Sequence, residues 1–151
     1  MGIAEDIKQK RSFRSEFQKA SVNIMYSSSW IQERVKIIVS REDITPQQYN
    51  ILRILRGSTT PLSTLQIRER MLDKMSDSSR LVDRLLKKSM VYKKISTYDK
   101  RLVDVTISSK GLQALAKLDD KNEEFDIISR NLTEKEAETL NNLLDKMRSH
   151  H

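Results

Sequence analysis

The sequence contains no cysteine. That absence excludes disulfides, thiol nucleophiles, thiol-based redox sensing and every cysteine-ligated metal site. Histidine is nearly as scarce: the only two, His150 and His151, stand at the end of the chain like the remnant of a tag. A histidine-based metal or catalytic centre is therefore not expected. With 3 glycines and 2 prolines, the chain has no glycine-rich phosphate loop and lacks the turn density of an all-β protein. No pair of carboxylates is set in an apolar pattern that would raise a pKa, so the sequence offers no acid–base machinery, and neither enzyme activity nor a cofactor is expected. No apolar run is long enough to cross a bilayer, and "MGIAEDIKQK" has no apolar core of a secretion signal. A cytoplasmic protein with no membrane partner is the expectation.

What the chain does have is charge. Charged residues make up 32% of it, and the formal net charge is +7. The excess is localised: residues 62–110 carry twelve Lys and Arg against six Asp and Glu, whereas residues 111–151 carry six against nine. A concentrated positive field favours a polyanionic partner. At 151 residues the chain is long enough for one domain with a substantial core and short for two, so 1–151 is read as a single domain.

Three segments open with one helix-start device, in which a Ser or Thr caps the free N–H groups and a Gln or Glu three residues on bonds back. They are Thr45 with Gln48, Ser63 with Gln66, and Thr133 with Glu136. Pro46 stands at a first helical position, where its missing N–H is harmless. Apolar spacing predicts a short helix near Ile3 to Lys10, a long one from about Phe13 to Val39, and helices from Pro46 to Arg56, Thr64 to Leu72 and about Ser76 to Lys88. The last of these should turn Leu81, Leu85 and Leu86 inward. Ser108 should cap a helix reaching about Ser129, and a final helix presents Leu140, Leu143, Leu144 and Met147 on one face.

Between the fifth and sixth of these helices the period changes to two. Val91, Lys93 and Ile95 share one side of an extended segment, as do Val103, Val105 and Ile107, with Asp99, Lys100 and Arg101 at the tip. This is a β-hairpin with a basic end. Helix, helix, helix, strand, strand is the order of a winged helix-turn-helix, here flanked by further helices, in a fold that is mainly α with a small β-hairpin wing. In such a domain "MSDSSRLVDRLLKKS" is the reading helix. Its first turn is rich in small hydroxyl side chains, which allow close approach to a DNA groove.

"SRLVDRLLKKSMV" followed by "YDKRLVDVTISSKG" resembles the signature of the MarR family of bacterial transcriptional regulators, over about residues 45–115. In that family the reading helix ends in a leucine-rich turn, and a wing bearing Asp-x-Arg leads into a strand ending Leu-Thr-x-x-Gly. Asp99 and Arg101 match the first motif; Ile107, Ser108 and Gly111 match the second. The family usually has glycine where this chain has Ser89, and an apolar residue where it has Ser78.

The resemblance implies a homodimer held by helices of residues 1–40 and 112–149 around a DNA-binding lobe of residues 45–111. It implies a sequence-specific regulator that binds double-stranded DNA at a pseudo-palindromic operator, with helix 76–88 in the major groove and wing 96–101 in the minor groove. By that analogy Arg101 enters the minor groove, oriented by Asp99. Leu140, Leu143, Leu144 and Met147 would then be covered by the partner chain. Ser79 and Arg80 are the candidates for base contacts with Ser76 and Ser78 in support, while Lys74 and Lys100 are the candidates for phosphate. Many members release DNA when a small aromatic compound binds between the dimer helices and the lobe. Met25, Tyr26, Trp30 and Tyr49 lie on segments near such a cavity, although ordinary packing is the simpler account of them. The alternative function is a winged-helix protein–protein interaction module without specific DNA binding, whose affinity would depend only weakly on salt.

Overall fold

The computed structural model describes residues Gly2 to His150; Met1 and the tag-like His151 lie outside the described residues. The elements in chain order are α1 (Ile3–Asp6), α2 (Glu16–Val39), a 3-10 turn (Ser40–Glu42), α3 (Pro46–Arg56), β1 (Leu62–Ser63), α4 (Thr64–Arg70) and α5 (Ser78–Lys87). Then come β2 (Val91–Ile95), β3 (Val103–Ile107), α6 (Ser109–Asp119), α7 (Asn122–Phe125), a second 3-10 turn (Ile127–Arg130) and α8 (Glu134–Arg148). The fold is mainly helical with a small antiparallel sheet, a winged helix-turn-helix carrying additional helices before and after it.

All three capping boxes form: Thr45, Ser63 and Thr133 each accept the N–H three residues on, and Gln48, Gln66 and Glu136 bond back. Ser108 likewise caps α6 by accepting the N–H of Gly111. The hairpin pairs in the expected register, with Val91 opposite Ile107, Lys93 opposite Val105 and Ile95 opposite Val103. A third strand joins it. Leu62 and Ser63 pair with Val105 and Asp104, giving the order β1-β3-β2. Two residues are too few to show a period, which is why the pattern of the sequence does not mark β1.

Two helix boundaries and one buried helix face differ from expectation. α5 starts at Ser78 rather than Ser76, because Asp77 is the cap and its carboxylate accepts the Arg80 N–H at 3.1 Å. A carboxylate at this position also complements the positive end of the helix dipole. Within α5 it is Val82 and Leu85 that are buried, at 1% and 0% exposure, while Leu86 remains 40% exposed. The helix expected to run from Ser108 to Ser129 stops at Asp119 and resumes as α7 and a 3-10 turn. Leu118 is its last buried side chain. The polar run that follows, Asp119 to Glu124, has no apolar face to hold a continuous helix against the core.

Among the described residues, every buried hydrophobic side chain except Ile3 lies between Ile38 and Leu118. Ile51, Leu52 and Leu55 of α3 meet Ile67, Val82, Leu85, Val91, Val105 and Leu115 in one cluster. Each such side chain contributes about 1.5–3 kcal/mol through removal from water. In contrast, α8 buries nothing and α2 buries only Ile38 and Val39. The terminal helices therefore have almost no core of their own.

Two contacts fix α5 at its far end. Lys88 Nζ donates to the Asp43 carbonyl and to Gln48 Oε1, tying the end of α5 to the segment that enters α3. Ser89 takes a left-handed conformation, φ 61°, where glycine is the usual choice. Its carbonyl accepts the Ser108 hydroxyl at 2.7 Å, which holds the turn against the start of α6. At Gly111 a Cβ would lie 2.5 Å from the Met90 carbonyl oxygen and 2.8 Å from Ile107 Cγ1. Neither neighbour is free to retreat. Gly111→Ala is expected to destabilise the fold by about 3 kcal/mol, the upper end of the range for overpacking. Denaturant titration would measure this, and a loss below about 0.5 kcal/mol would show that α6 can move away from the sheet.

Candidate nucleic-acid interface

α5 and the turn before it present two kinds of surface. Ser79 and Arg80 are exposed, whereas Ser78 is 4% exposed and Ser76 is half-buried. The Arg80 guanidinium lies 3.8 Å from Asp77, with both side chains more than 60% exposed. A pair so open to water is worth little and leaves the arginine free to exchange partners. Asp83 pairs instead with Lys93 of the wing at 2.9 Å. Lys74 is exposed on the turn before α5, where its ammonium donates to the Glu69 carbonyl.

A groove of about 430 Å³ runs between α4 and the start of α5, lined by Thr64, Leu65, Arg68 and the stretch Met75 to Ser79. Arg68 and Thr64 did not emerge from the sequence as site residues. The available signal was an arginine one helical turn past the Ser63 cap, which the spacing of α4 places beside the next helix. Two hydroxyls under this groove, Ser76 Oγ and Ser78 Oγ, have neither solvent contact nor a hydrogen-bond partner among the described residues.

The wing tip is ordered by its own side chains. Ser96 Oγ accepts the N–H groups of Tyr98 and Asp99, and the Leu102 N–H donates to the Asp99 carbonyl at 2.9 Å. Asp99 then receives Arg101 three times. The Arg101 backbone N–H and Nε reach Oδ1 at 3.0 Å each, and Nη2 reaches Oδ2 at 2.9 Å. This fork holds the Asp99 carboxyl below its ordinary value of 3.8, through the side-chain bond first and the backbone bond second. The same bond raises the guanidinium. The Arg101 side chain is nevertheless 89% exposed. It is an oriented cation aimed at solvent, with Lys100 exposed beside it.

Of the residues singled out in the terminal helices, Leu140, Leu143 and Met147 are exposed at 39%, 59% and 57%, and Leu144 is half-buried. On α2, Phe17, Met25 and Ile37 are exposed at 86%, 63% and 59%. Of the four candidate cavity residues, Trp30 lines a cleft. That cleft, about 420 Å³, lies between α2 and the α7 region, with Arg34, Arg41 and Arg130 among its walls. Met25 and Tyr26 face outward. Tyr49 stacks on Phe125 with ring centroids 5.2 Å apart, and burial raises its phenol above the ordinary value of 10.0. Its role is packing.

No protein-family model matches the sequence, and no curated protein matches it. Solved structures do. Escherichia coli MarR, as a single-site mutant complexed with operator DNA, superposes with a TM-score of 0.82 at 21% identity, covering 92% of this chain and 100% of that one. The organohalide-sensing regulator RdhR-CbdbA1625 in its 2,4-dichlorophenol-bound form gives 0.80 at 16% identity, covering 93% and 86%. A MarR transcription factor from Planctomyces limnophilus gives 0.64 at 28% identity, covering 90% and 98%. Helix-turn-helix, wing and flanking helices thus match across nearly the whole length, and the chain has the fold of the MarR transcription regulators.

Proposed function

We propose that this protein is a DNA-binding transcription regulator that acts as a homodimer on a pseudo-palindromic operator. The observation that carries the reading is the wing tip, where the Arg101 side chain stands 89% exposed yet its guanidinium is fixed by two hydrogen bonds to a carboxylate that also accepts the Arg101 backbone N–H. Ordering a long cation that gains so little from its surroundings makes sense when a polyanion completes the contact. In this reading Ser79 and Arg80 approach base edges with Ser76 and Ser78 in support, Lys74 and Lys100 touch phosphate, and Arg101 enters the minor groove. The dimer is formed by residues 1–40 and 112–149, and residues 45–111 form the lobe on DNA. The MarR complex with operator DNA supports the assignment by its likeness of fold.

Selection from a random DNA pool with the purified chain is the direct test. One enriched palindrome is expected. On that duplex Arg80→Ala should cost about 1–3 kcal/mol and relax preference at one position. Failure to enrich any sequence, with binding that varies little with salt, would favour a protein-binding winged helix. A small aromatic effector is proposed to sit in the cleft beside Trp30, the chain's sole tryptophan. The RdhR-CbdbA1625 structure holds 2,4-dichlorophenol. The same compound titrated into the protein–DNA complex should change Trp30 fluorescence as DNA is released; release without that change would place the effector elsewhere.

A further inference from the structure

We propose that the groove between α4 and the start of α5 seats one phosphate of the DNA backbone, clamped by Arg68, by the first-turn N–H groups of α5 and by the hydroxyls of Ser76 and Ser78. The assignment rests on the DNA-binding function proposed above and gives these serines a task different from reading bases.

Three observations converge on the groove. The first is the pair of orphan oxygens. A buried hydroxyl without a partner is destabilising, and here two lie under one groove, Ser78 at 4% exposure. Solvent does not reach either oxygen, but each side chain turns about a single bond, so a ligand oxygen seated in the groove can satisfy both. The second is the helix end itself. α5 is 10 residues long, and Asp77 takes only the N–H of Arg80. The N–H groups of Ser78 and Ser79 have no acceptor within the helix and stand at its positive pole. The third is Arg68, which reaches the same groove from α4 and supplies a full positive charge. Donors from two helices, one of them carrying a full positive charge, describe a site for an oxyanion.

One carboxylate lines the groove, that of Asp77. Its Oδ1 is engaged by the Arg80 N–H, and as the cap of α5 its charge is set against the positive end of the helix dipole. The backbone of DNA is favoured over a free anion because the groove opens beside Ser79 and Arg80 of the reading helix, where a bound duplex would pass.

The test uses the full chain and the duplex it selects, with each phosphate in turn replaced by uncharged methylphosphonate. In each half-site one replacement should weaken the wild type about tenfold, the effect of losing a charge-assisted contact. The Arg68→Gln/Ser78→Ala variant should bind the unmodified duplex about tenfold more weakly and be indifferent to that replacement, while staying sensitive to the others. Ser78→Ala alone should keep or raise the melting temperature, since it removes an unsatisfied hydroxyl. A double variant as sensitive as the wild type at every phosphate would overturn the clamp while leaving DNA binding intact. A pool with no enriched duplex would overturn the DNA-binding reading and the clamp with it. Saturable shifts of the Ser78 and Ser79 amide signals by inorganic phosphate alone, with no methylphosphonate effect, would overturn the backbone assignment and mark a free-anion site.

Discussion

Replacing Leu140 and Leu144 together by aspartate is expected to abolish tight operator binding while leaving the winged helix folded. The two halves of this result come from one feature of the fold. α8 contributes no buried residue, so the lobe, whose core lies between Ile38 and Leu118, loses nothing when α8 becomes polar. The apolar face of α8 and the exposed Phe17, Met25 and Ile37 of α2 are what a second copy would cover. In a twofold dimer the reading helices sit about one DNA turn, roughly 34 Å, apart. Separating them turns a tethered second contact into an independent one, and affinity should fall by about 10²–10⁴-fold. Sedimentation should show a monomer whose melting transition stays within a few degrees of the wild type. A variant that sediments as a dimer and binds DNA normally would place the interface elsewhere.

The second large effect is expected at the wing. Arg101→Ala should weaken DNA binding, lower the slope of log affinity against log salt by roughly one unit per subunit, and blunt discrimination between A·T-rich and G·C-rich flanks. Asp99→Ala decides what kind of site this is. Simple electrostatics says that deleting a negative charge from a DNA-facing loop strengthens binding. The hydrogen-bond geometry says the reverse, because without Asp99 the guanidinium loses both of its tethers and the Arg101 backbone N–H loses its acceptor, so the side chain must be ordered at the expense of binding. Weaker binding by a normally melting Asp99→Ala protein is the expected result. Tighter binding with flank preference intact would reduce the tip to a patch of positive charge.

The pH dependence has a defined sign. Because the carboxyl is held below 3.8 in the folded chain, its contribution to tip order is present above the ordinary value and is lost as pH falls through the lowered one. Operator affinity should therefore be insensitive to Asp99 titration above about pH 5. A loss of flank discrimination centred near pH 6 in the wild type would show that another group controls the tip.

Much of this fold is legible in the sequence because its signals are local. A capping box needs four residues, and a hairpin needs two alternating runs; both kinds of signal mark their elements at the right places here. The pairing of Asp99 with Arg101 is likewise a contact between near neighbours. What the sequence leaves hidden depends on tertiary packing. β1 exists only because Val105 and Asp104 are there to pair with it. The end of α6 is set by where the core stops, and the choice of Val82 over Leu86 by the direction from which α3 and the sheet approach. Ser76 looks like a cap in isolation, yet the cap is Asp77. The groove that joins Arg68 to Ser78 needs two helices at a fixed angle, and no spacing along one chain segment encodes that.

The sheet order β1-β3-β2 also bears on how the protein behaves in concentrated solution. β2 is an edge strand with a free row of backbone donors and acceptors, and it carries exposed Tyr92 and Ile95, a combination that invites edge-to-edge pairing between molecules. Lys93 and Lys94 interrupt it. Lys93 is held by Asp83 at 2.9 Å, so the charge that two approaching edges would have to desolvate is chiefly that of Lys94. Lys94 would then be the side chain that keeps the wings of neighbouring molecules from growing into a continuous sheet.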